Sequence, residues 1–326
     1  MTAQLPPPRP GSFRVAVAQV APILGDRAAS TARVASCLVE AAGEGAELIL
    51  FSEAQVPGSL PGPEMIRNSA LDRATQDQLR TRFAHGAWSA SGNPPASADL
   101  GELARLAREH SIHAVIGAIE WEGAGAGGRL YSAAVVLPVE GDALFWRRRA
   151  TLSPSERTLL HAGDARGLEP FEVGGLRFGV VIGQEARSPV LRAALASKGV
   201  DVWLVLEGPG ASERPELSTW LARDGVAYAL LAAPFLRRAD VPADLPNLEH
   251  WLRRDEVLLP GGSAIASPLG EQLHGPVCGR EAILYGDLDP NRLVQARLAF
   301  DPFGFDARPD LFEARVLTPA RRPAGQ

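Results

Sequence analysis

Two glutamates lie where acid–base chemistry could be carried out. Glu53 directly follows the apolar run 46–51, which predicts a buried strand, and α/β sheets bind ligands at the carboxyl ends of such strands. Glu156 lies in the turn 152–157, which a Ser-Pro dipeptide initiates. A carboxylate held beside a substrate can take a proton from the reacting group. Glu53 and Glu156 are therefore candidate catalytic residues.

Arg149 is the third candidate, and it ends the basic cluster 147–149. A guanidinium stays protonated and can stabilise developing negative charge or clamp a carboxylate. We expect Glu53 and Arg149 to form a mostly buried ion pair with Glu156 close by, their charged ends within about 6 Å. Three arginines at a strand end are typical of a solvated edge with one inward partner, so no nucleic-acid role is expected.

Gly183 lies at the turn where a nucleophile would be expected. The apolar run 178–182 predicts a buried strand, and an amphipathic helix is predicted to follow it over 187–198. A sharp turn from strand to helix is where an α/β enzyme displays its nucleophile. Glycine has no side chain that could attack, although it relieves strain because it tolerates positive φ at little cost.

Other residues that could supply a nucleophile have simpler explanations. Ser153 and Ser155 lie in a Ser-Pro-Ser turn, where capping accounts for them. Cys37 lies on the apolar stripe of a predicted helix and is expected to be a core thiol. Cys278 could approach the site only if the fold differed from the one predicted. The six histidines show no metal-ligand spacing, so neither a metal nor a cofactor is expected.

Strands and helices alternate along the chain, with hairpins among them. Strands are predicted at 13–20, 46–51, 112–120, 130–138, 143–146, 171–185 with a hairpin, 200–206, 226–233, 261–270 and 282–288, and helices at 28–46, 71–83, 98–110, 187–198 and 215–223. This alternation predicts one α/β domain with layered sheets of parallel and antiparallel strands.

Four other segments are predicted to be irregular. Residues 61–97 form either a lid over the site or a mobile surface loop, apart from the helical patch. Glycines 123–128 lead into a strand rather than a helix, which predicts a hairpin loop and not a phosphate cradle. Residues 240–260 are predicted to be an excursion, and the chain after residue 288 a tail.

Composition excludes several classes of protein. The chain has 326 residues, of which 46% are hydrophobic, so it can bury a large core. Its net charge of -5 gives no field that would attract nucleic acid or an anionic membrane. No apolar run approaches the roughly 20 residues of a membrane-spanning helix. Two cysteines cannot form a disulfide framework and no secretory leader is recognisable, so a cytoplasmic protein is expected.

The chain resembles the carbon–nitrogen hydrolase, or nitrilase, superfamily from about Phe13 to Phe312. Six pieces carry the resemblance, and they follow one another in the family's order. They are Val17-Ala-Gln19 with Leu24-Gly-Asp26; Phe51-Ser-Glu53 with Pro57-Gly58; Arg148 and Arg149 followed by Pro154, Glu156-Arg157 and Gly163-Asp164; Gly179 to Ile182 with Glu185 and Pro189; Gly262-Ser263 with Pro268 and Gly270; and Arg308-Pro-Asp310.

The resemblance implies a four-layer αββα sandwich that pairs into homodimers. It also implies attack by a cysteine thiolate on a nitrile or amide carbon, with a glutamate as general base, a lysine that stabilises charge and a second glutamate that assists. Matched position by position, the base falls on Glu53, the second glutamate on Glu156, the lysine on Arg149 and the cysteine on Gly183. The domain is predicted to cover 13–315, between a Pro-rich tail at 1–12 and a C-terminal tail at 316–326.

Two of the family's four groups are thus replaced, and three functions stay open. The favoured one is a non-catalytic homologue that binds a small amide or carboxylate, or acts as a regulatory or assembly subunit. The second is a divergent hydrolase of non-peptide C–N bonds in which Glu53 drives direct attack by water and Arg149 assists. The third is a structural protein whose site has collapsed.

Overall fold

A computed structural model describes residues 11–58, 73–89, 97–123, 128–140, 145–208, 214–245 and 256–317. The strands are β1 (Phe13–Gln19), β2 (Leu48–Leu50), β3 (Trp88–Ser89), β4 (His113–Glu122), β5 (Arg129–Leu137), β6 (Phe145–Arg148), β7 (Phe171–Val173), β8 (Leu176–Ile182), β9 (Val202–Leu206), β10 (Tyr228–Ala232), β11 (Phe235–Arg237), β12 (Val257–Ala266), β13 (Gln272–Cys278) and β14 (Ala282–Leu288). The α-helices are α1 (Arg27–Gly43), α2 (Arg73–Gly86), α3 (Ala98–Glu109), α4 (Pro189–Ala196), α5 (Leu217–Gly225) and α6 (Pro290–Ala299).

The strands form two seven-stranded sheets. The first has the order β14-β1-β2-β4-β5-β6, with β3 paired to β4, and the second has the order β11-β12-β10-β9-β8-β7, with β13 paired to β12. In each sheet three neighbouring strands are parallel, namely β1, β2 and β4 in one and β8, β9 and β10 in the other. The carboxyl ends of parallel neighbours lie at one edge, and this is where ligands of α/β proteins bind.

The sheets pack face to face and helices cover their outer sides. The inner faces share one apolar cluster, which includes Val17, Leu50, Phe178, Leu204 and Leu230. Residues of α1 and α3 pack on the outer face of the first sheet, and residues of α4 and α5 pack on that of the second. Successive side chains of a strand point to opposite faces of the sheet. Each central strand therefore contributes to both the inner and the outer apolar cluster. The predicted four-layer αββα sandwich is confirmed.

Local signals explain why the helix that follows β8 begins where it does. The chain leaves β8 through a 3₁₀ turn at Gly183–Arg187. Ser188 then caps α4, because its Oγ accepts a hydrogen bond from the N–H of Leu191 at 3.4 Å and Pro189 fills the first helical position. The helix therefore starts immediately beyond the turn that holds Gly183.

The C-terminal third departs from the sequence predictions. Strand β12 begins at Val257, inside the predicted excursion, and β13 was not predicted at all. The prediction of a tail after residue 288 is wrong, since α6 follows β14 directly: Asp289 caps it, Pro290 begins it, and Leu293 and Ala296 are buried. An Asp-Pro start is a helix signal, but the weak apolar stripe of this helix hid it.

Some predictions lie partly outside the described residues. The helical patch at 71–83 corresponds to α2, whereas 59–72 and 90–96 are not described, so the lid remains a prediction. The hairpin between β4 and β5 is confirmed by their antiparallel pairing, although 124–127 are not described. Within the described ranges, none of the helices is both long and apolar enough to cross a membrane.

Candidate active site

The three consecutive arginines at the end of β6 are all paired, and Arg147 and Arg149 are buried while Arg148 is half-buried, which corrects the prediction of a solvated edge. Arg147 binds Glu185 at 2.5 Å, and Arg149 binds two other glutamates. Arg148 bonds to Glu120 and lies 3.9 Å over the ring of Tyr131. The partners of Arg147 and Arg148 lie 38 and 28 residues away along the chain, so the run of arginines itself could not reveal them.

Glu53 is fixed at the carboxyl end of β2. Its backbone N–H donates to the carbonyl oxygen of Glu207 at 3.0 Å, which ties the loop to the end of β9 in the second sheet. The loop also packs closely against Gly117 in β4, where a Cβ would lie 2.1 Å from the carbonyl oxygen of Ser52. The loop is thus held on both sides, and the Glu53 side chain is only 9% exposed.

The predicted ion pair between Glu53 and Arg149 is confirmed. Nη1 of Arg149 donates to Oε1 of Glu53 at 2.9 Å, and the hydroxyl of Ser132 donates to the same oxygen at 2.6 Å. The other carboxylate oxygen, Oε2, has no hydrogen-bond donor among the described residues. One of the two oxygens of this buried carboxylate is therefore unpaired within the described ranges.

Glu156 engages the same guanidinium through both of its carboxylate oxygens. Nη1 and Nη2 of Arg149 donate to its two oxygens at 2.8 and 3.1 Å. The backbone N–H of Ser153 also donates to Glu156, at 2.7 Å, and the hydroxyls of Ser153 and Ser155 lie 3.2 Å apart. The two serines therefore shape the turn that holds Glu156, as the capping interpretation predicts.

Gly183 completes the group. It adopts φ +54°, and a Cβ built on it would lie 2.7 Å from Oε2 of Glu53 and 3.1 Å from the guanidinium of Arg149. Glu185 sets this turn, because its carboxylate accepts the N–H groups of Ile182 at 3.0 Å and Ala150 at 2.6 Å. The turn of the second sheet is thereby fastened to the chain that leaves β6. The four candidate residues from the sequence lie together.

Sequence reasoning missed two neighbours of this group. Glu207 follows β9 as Glu53 follows β2, so the rule that identified Glu53 would also have found it. Ser132 lies in the middle of β5 and carries no comparable signal. Glu207 is buried, its Oε1 has no hydrogen-bond partner in the described part of the chain, and its other oxygen lies 3.7 Å from Arg214.

Burial controls the electrostatics of the site. Desolvation raises the pKa of Glu53 above its usual value; the charge of Arg149 lowers it and that of Glu156 raises it further. Desolvation also raises the pKa of Glu207 to about 7, despite the opposing charge of Arg214. A carboxyl whose pKa is about 7, as for Glu207, can exchange protons near neutral pH, and Arg149 can stabilise an anion.

Neither cysteine supplies a thiol to this arrangement. Cys37 is buried between α1 and the first sheet, where desolvation raises its pKa to about 11, so it is the core thiol expected. Cys278 is exposed at the end of β13, opposite Gly261. No hydrogen bond joins either sulfur to Glu53. Over the described ranges, no group of three or more His, Cys, Asp or Glu side chains could hold a metal ion.

Comparisons with known proteins agree with this architecture. The family model described as carbon-nitrogen hydrolase matches residues 14–298. Nitrilase 2 of Arabidopsis thaliana is 29% identical over 315 residues, with 95% of this chain and 90% of that protein covered. The aliphatic nitrilase of Sinorhizobium fredii is 31% identical over 307 residues, with 93% of this chain and 95% of that protein covered.

Solved structures resemble the fold over most of its length. Saccharomyces cerevisiae Nit3, a member of branch 10 of the nitrilase superfamily, superposes with a TM-score of 0.65 at 21% identity and covers 89% of this chain and 94% of its own. An amidase from Nesterenkonia sp. superposes with a TM-score of 0.63 at 19% identity and covers 90% of this chain and 97% of its own.

Proposed function

This chain belongs to the carbon–nitrogen hydrolase family, and we propose that it is a non-catalytic member. In this proposal Gly183 takes the position of the family's nucleophilic cysteine and Arg149 that of its lysine. The site binds a small amide or carboxylate, or the chain acts as a regulatory subunit. Glu53 and Glu156 remain as the family's two carboxylates.

The observation that carries the proposal is the surroundings of Gly183. An amidase from Nesterenkonia sp. has an active-site cysteine, whereas the turn that faces Glu53 and Arg149 here has no side chain. The space that a Cβ would need is occupied by Oε2 of Glu53 at 2.7 Å and by the guanidinium of Arg149 at 3.1 Å. Covalent catalysis needs an attacking atom, and removing one from a working site costs on the order of 10⁶ in turnover.

Arg149 supports the same conclusion. A lysine ammonium is compact and can give up a proton when buried, but a guanidinium stays charged and binds carboxylates with two parallel hydrogen bonds. Arg149 does this with Glu156 and also holds Glu53. The charge of Arg149 is thus paired with the protein's own glutamates. Such an arrangement stabilises the site but does not transfer protons.

Hydrolysis assays test this proposal directly. The wild-type protein should release no ammonia above the buffer rate from a panel of simple amides, nitriles and carbamoylated amines. The double variant Gly183→Cys with Arg149→Lys should gain turnover if the positions are matched correctly. A matched control is Gly175→Cys with Arg149→Lys, because Gly175 also has positive φ but lies in the β7–β8 turn with open space around it. Wild-type hydrolysis that depends on enzyme concentration would refute the proposal.

A divergent hydrolase is the second candidate, and the free oxygen of Glu53 favours it. A carboxylate with a raised pKa and an unoccupied oxygen is a suitable base for activating water, and Arg149 could stabilise the oxyanion. Ammonia release that Glu53→Gln abolishes would support this function. Release that survives Glu53→Gln would exclude it.

A further inference from the structure

The ion pairs among the described residues of the site do not balance. Three buried or mostly buried carboxylates, on Glu53, Glu156 and Glu207, are paired with two guanidiniums, on Arg149 and Arg214, while the exposed Arg187 acts on Glu207 without an ion-pair contact. Isolated charge is expensive to bury, so one further positive charge is needed, either as a proton on a carboxylate or as part of a ligand.

The two guanidiniums differ in how much they can offer. Arg149 binds two carboxylates with three hydrogen bonds. Arg214 lies 3.7 Å from Glu207, which is an ion-pair contact and not a short hydrogen bond. An incoming carboxylate would therefore have to compete with Glu53 and Glu156 for Arg149, and it would add negative charge to a site that already has an excess.

Two acceptor oxygens are left over, and they belong to residues that are tied together. Oε2 of Glu53 has no donor within the described ranges, and neither has the buried Oε1 of Glu207. The N–H of Glu53 binds the carbonyl oxygen of Glu207, and Gly208 follows so closely that a Cβ on it would lie 2.8 Å from Oε2 of Glu53. Glycines at 183 and 208 thus leave Oε2 of Glu53 bordered by backbone without side chains.

We propose that this site takes a small organic cation with a planar N–H-bearing head group, such as an amidinium, and that Glu207 is its second binding carboxylate beside Glu53. The inference rests on the proposed ligand-binding function and replaces its amide or carboxylate ligand with a cation. Two N–H groups of the head group would donate to the two free oxygens, and the ligand's charge would replace the missing one. A neutral amide binds less tightly because it brings donors without charge, and a carboxylate binds least.

Protons and the cation compete for the same carboxylates. Glu207 is faced by Arg214 before α5, by Glu53 after β2, by Arg149 after β6 and by the exposed Arg187 in the 3₁₀ turn, and with all of these its pKa is about 7. An amidinium stays charged from pH 6 to pH 8. Its affinity should therefore rise by up to about tenfold over that range, as the deprotonated fraction of Glu207 rises.

A matched series of planar probes tests the proposal on the full-length protein. Acetamidine, acetamide and acetate have nearly the same shape but carry charges of +1, 0 and -1, and benzamidine, benzamide and benzoate repeat the series at larger size. Calorimetry should give the order amidinium, amide, carboxylate, with at least about tenfold between the first two. Carboxylates that bind as tightly as amidiniums, or no binding in either series, would overturn the proposal.

Variants locate the effect at Glu207. Glu207→Gln should reduce the preference for amidinium over amide by about tenfold or more, whereas Glu172→Gln, an exposed carboxylate on β7, should leave it unchanged. An unchanged preference in Glu207→Gln would contradict the assignment.

Wild-type calorimetry in two buffers of different ionisation enthalpy gives a readout that needs no variant. Uptake of the amidinium near pH 7 should release protons, and the absence of proton release would also overturn the proposal.

Failure of this inference is distinguishable from failure of the proposed function. Hydrolysis of the amide probes by the wild-type protein would refute the non-catalytic function and leave the charge preference to be judged by affinity alone. Preference for carboxylates without hydrolysis would refute only the proposal that the ligand is a cation, and the non-catalytic function would stand.

Discussion

Two ion clusters lie side by side at the end of β6. They differ in whether the glutamate has a carboxylate oxygen without a hydrogen-bond donor. Glu185 has both oxygens occupied, one by the N–H of Ala150 and the other by Arg147 and the N–H of Ile182. Glu53 has one oxygen doubly occupied by Arg149 and Ser132 and the other without a donor. Both carboxylates are nearly completely buried. The difference indicates that the Arg147 cluster holds the fold together, whereas the Arg149 cluster leaves one carboxylate oxygen without a donor among the described residues.

The largest expected effect comes from breaking the first cluster. Glu185→Gln should lower the free energy of unfolding by about 3–5 kcal/mol, because it leaves the buried Arg147 without a counter-charge. Nε and Nη1 of Arg147 have no other acceptor in the part of the chain that is described. Urea unfolding followed by circular dichroism measures the change.

The matched variant in the second cluster is Glu156→Gln. It should cost only about 1–2 kcal/mol, because Arg149 keeps Glu53 as a partner. Equal costs in the two clusters would remove the distinction between them.

The second largest effect is the pH dependence that Glu207 contributes to stability. The pKa of Glu207 is about 7 in the folded protein, against an ordinary value of 4.5. Between these values the folded state keeps a proton that the unfolded state has lost, so the free energy of unfolding should fall as pH rises, by up to about 3 kcal/mol in total.

Urea unfolding at pH 5 and pH 8 measures this fall. Glu207→Gln should flatten it, because the variant has no proton to lose there, and Glu172→Gln should not. The difference in stability between Glu207→Gln and wild type could instead be the same at both pH values. In that case the pKa of Glu207 is not raised by folding, and the idea of an uncompensated buried carboxylate is wrong.

The sequence predicted most of this site because its parts obey local rules. Glu53 follows an apolar run, Glu156 follows a Ser-Pro turn, and Gly183 ends another apolar run, so each could be placed at a strand end or turn without knowing its partners. The partners of Arg147 and Arg148 could not be predicted, since Glu185 and Glu120 are 38 and 28 residues away from them. Strand β13 was missed for another reason: it is mostly exposed, so its sequence lacks the apolar alternation that identifies a half-buried strand.

A smaller effect is expected from adding a methyl group at the point where the two clusters meet. Gly183→Ala should cost about 2–3 kcal/mol, because positive φ strains alanine and its Cβ would press on Oε2 of Glu53. Gly175→Ala isolates the first of these costs, since Gly175 has φ +75° with nothing near its missing Cβ, and about 1 kcal/mol is expected there. If thermal unfolding shows equal costs, the Glu53 carboxylate moves aside freely and Arg149 does not lock it.

The smallest effect should come from Ser132→Ala, which removes one donor from Glu53 and leaves the ion pair with Arg149. The loss should be about 1 kcal/mol. It should be larger at pH 8 than at pH 5, because the hydroxyl stabilises the charged form of Glu53 and lowers its pKa. Ser263→Ala is the matched control: its hydroxyl bonds to the backbone of Ala233, with no titrating partner, so its cost should not change with pH. A Ser132→Ala cost that is independent of pH would mean that Glu53 does not change its protonation state between pH 5 and pH 8, and the affinity for cations would then follow the titration of Glu207 alone.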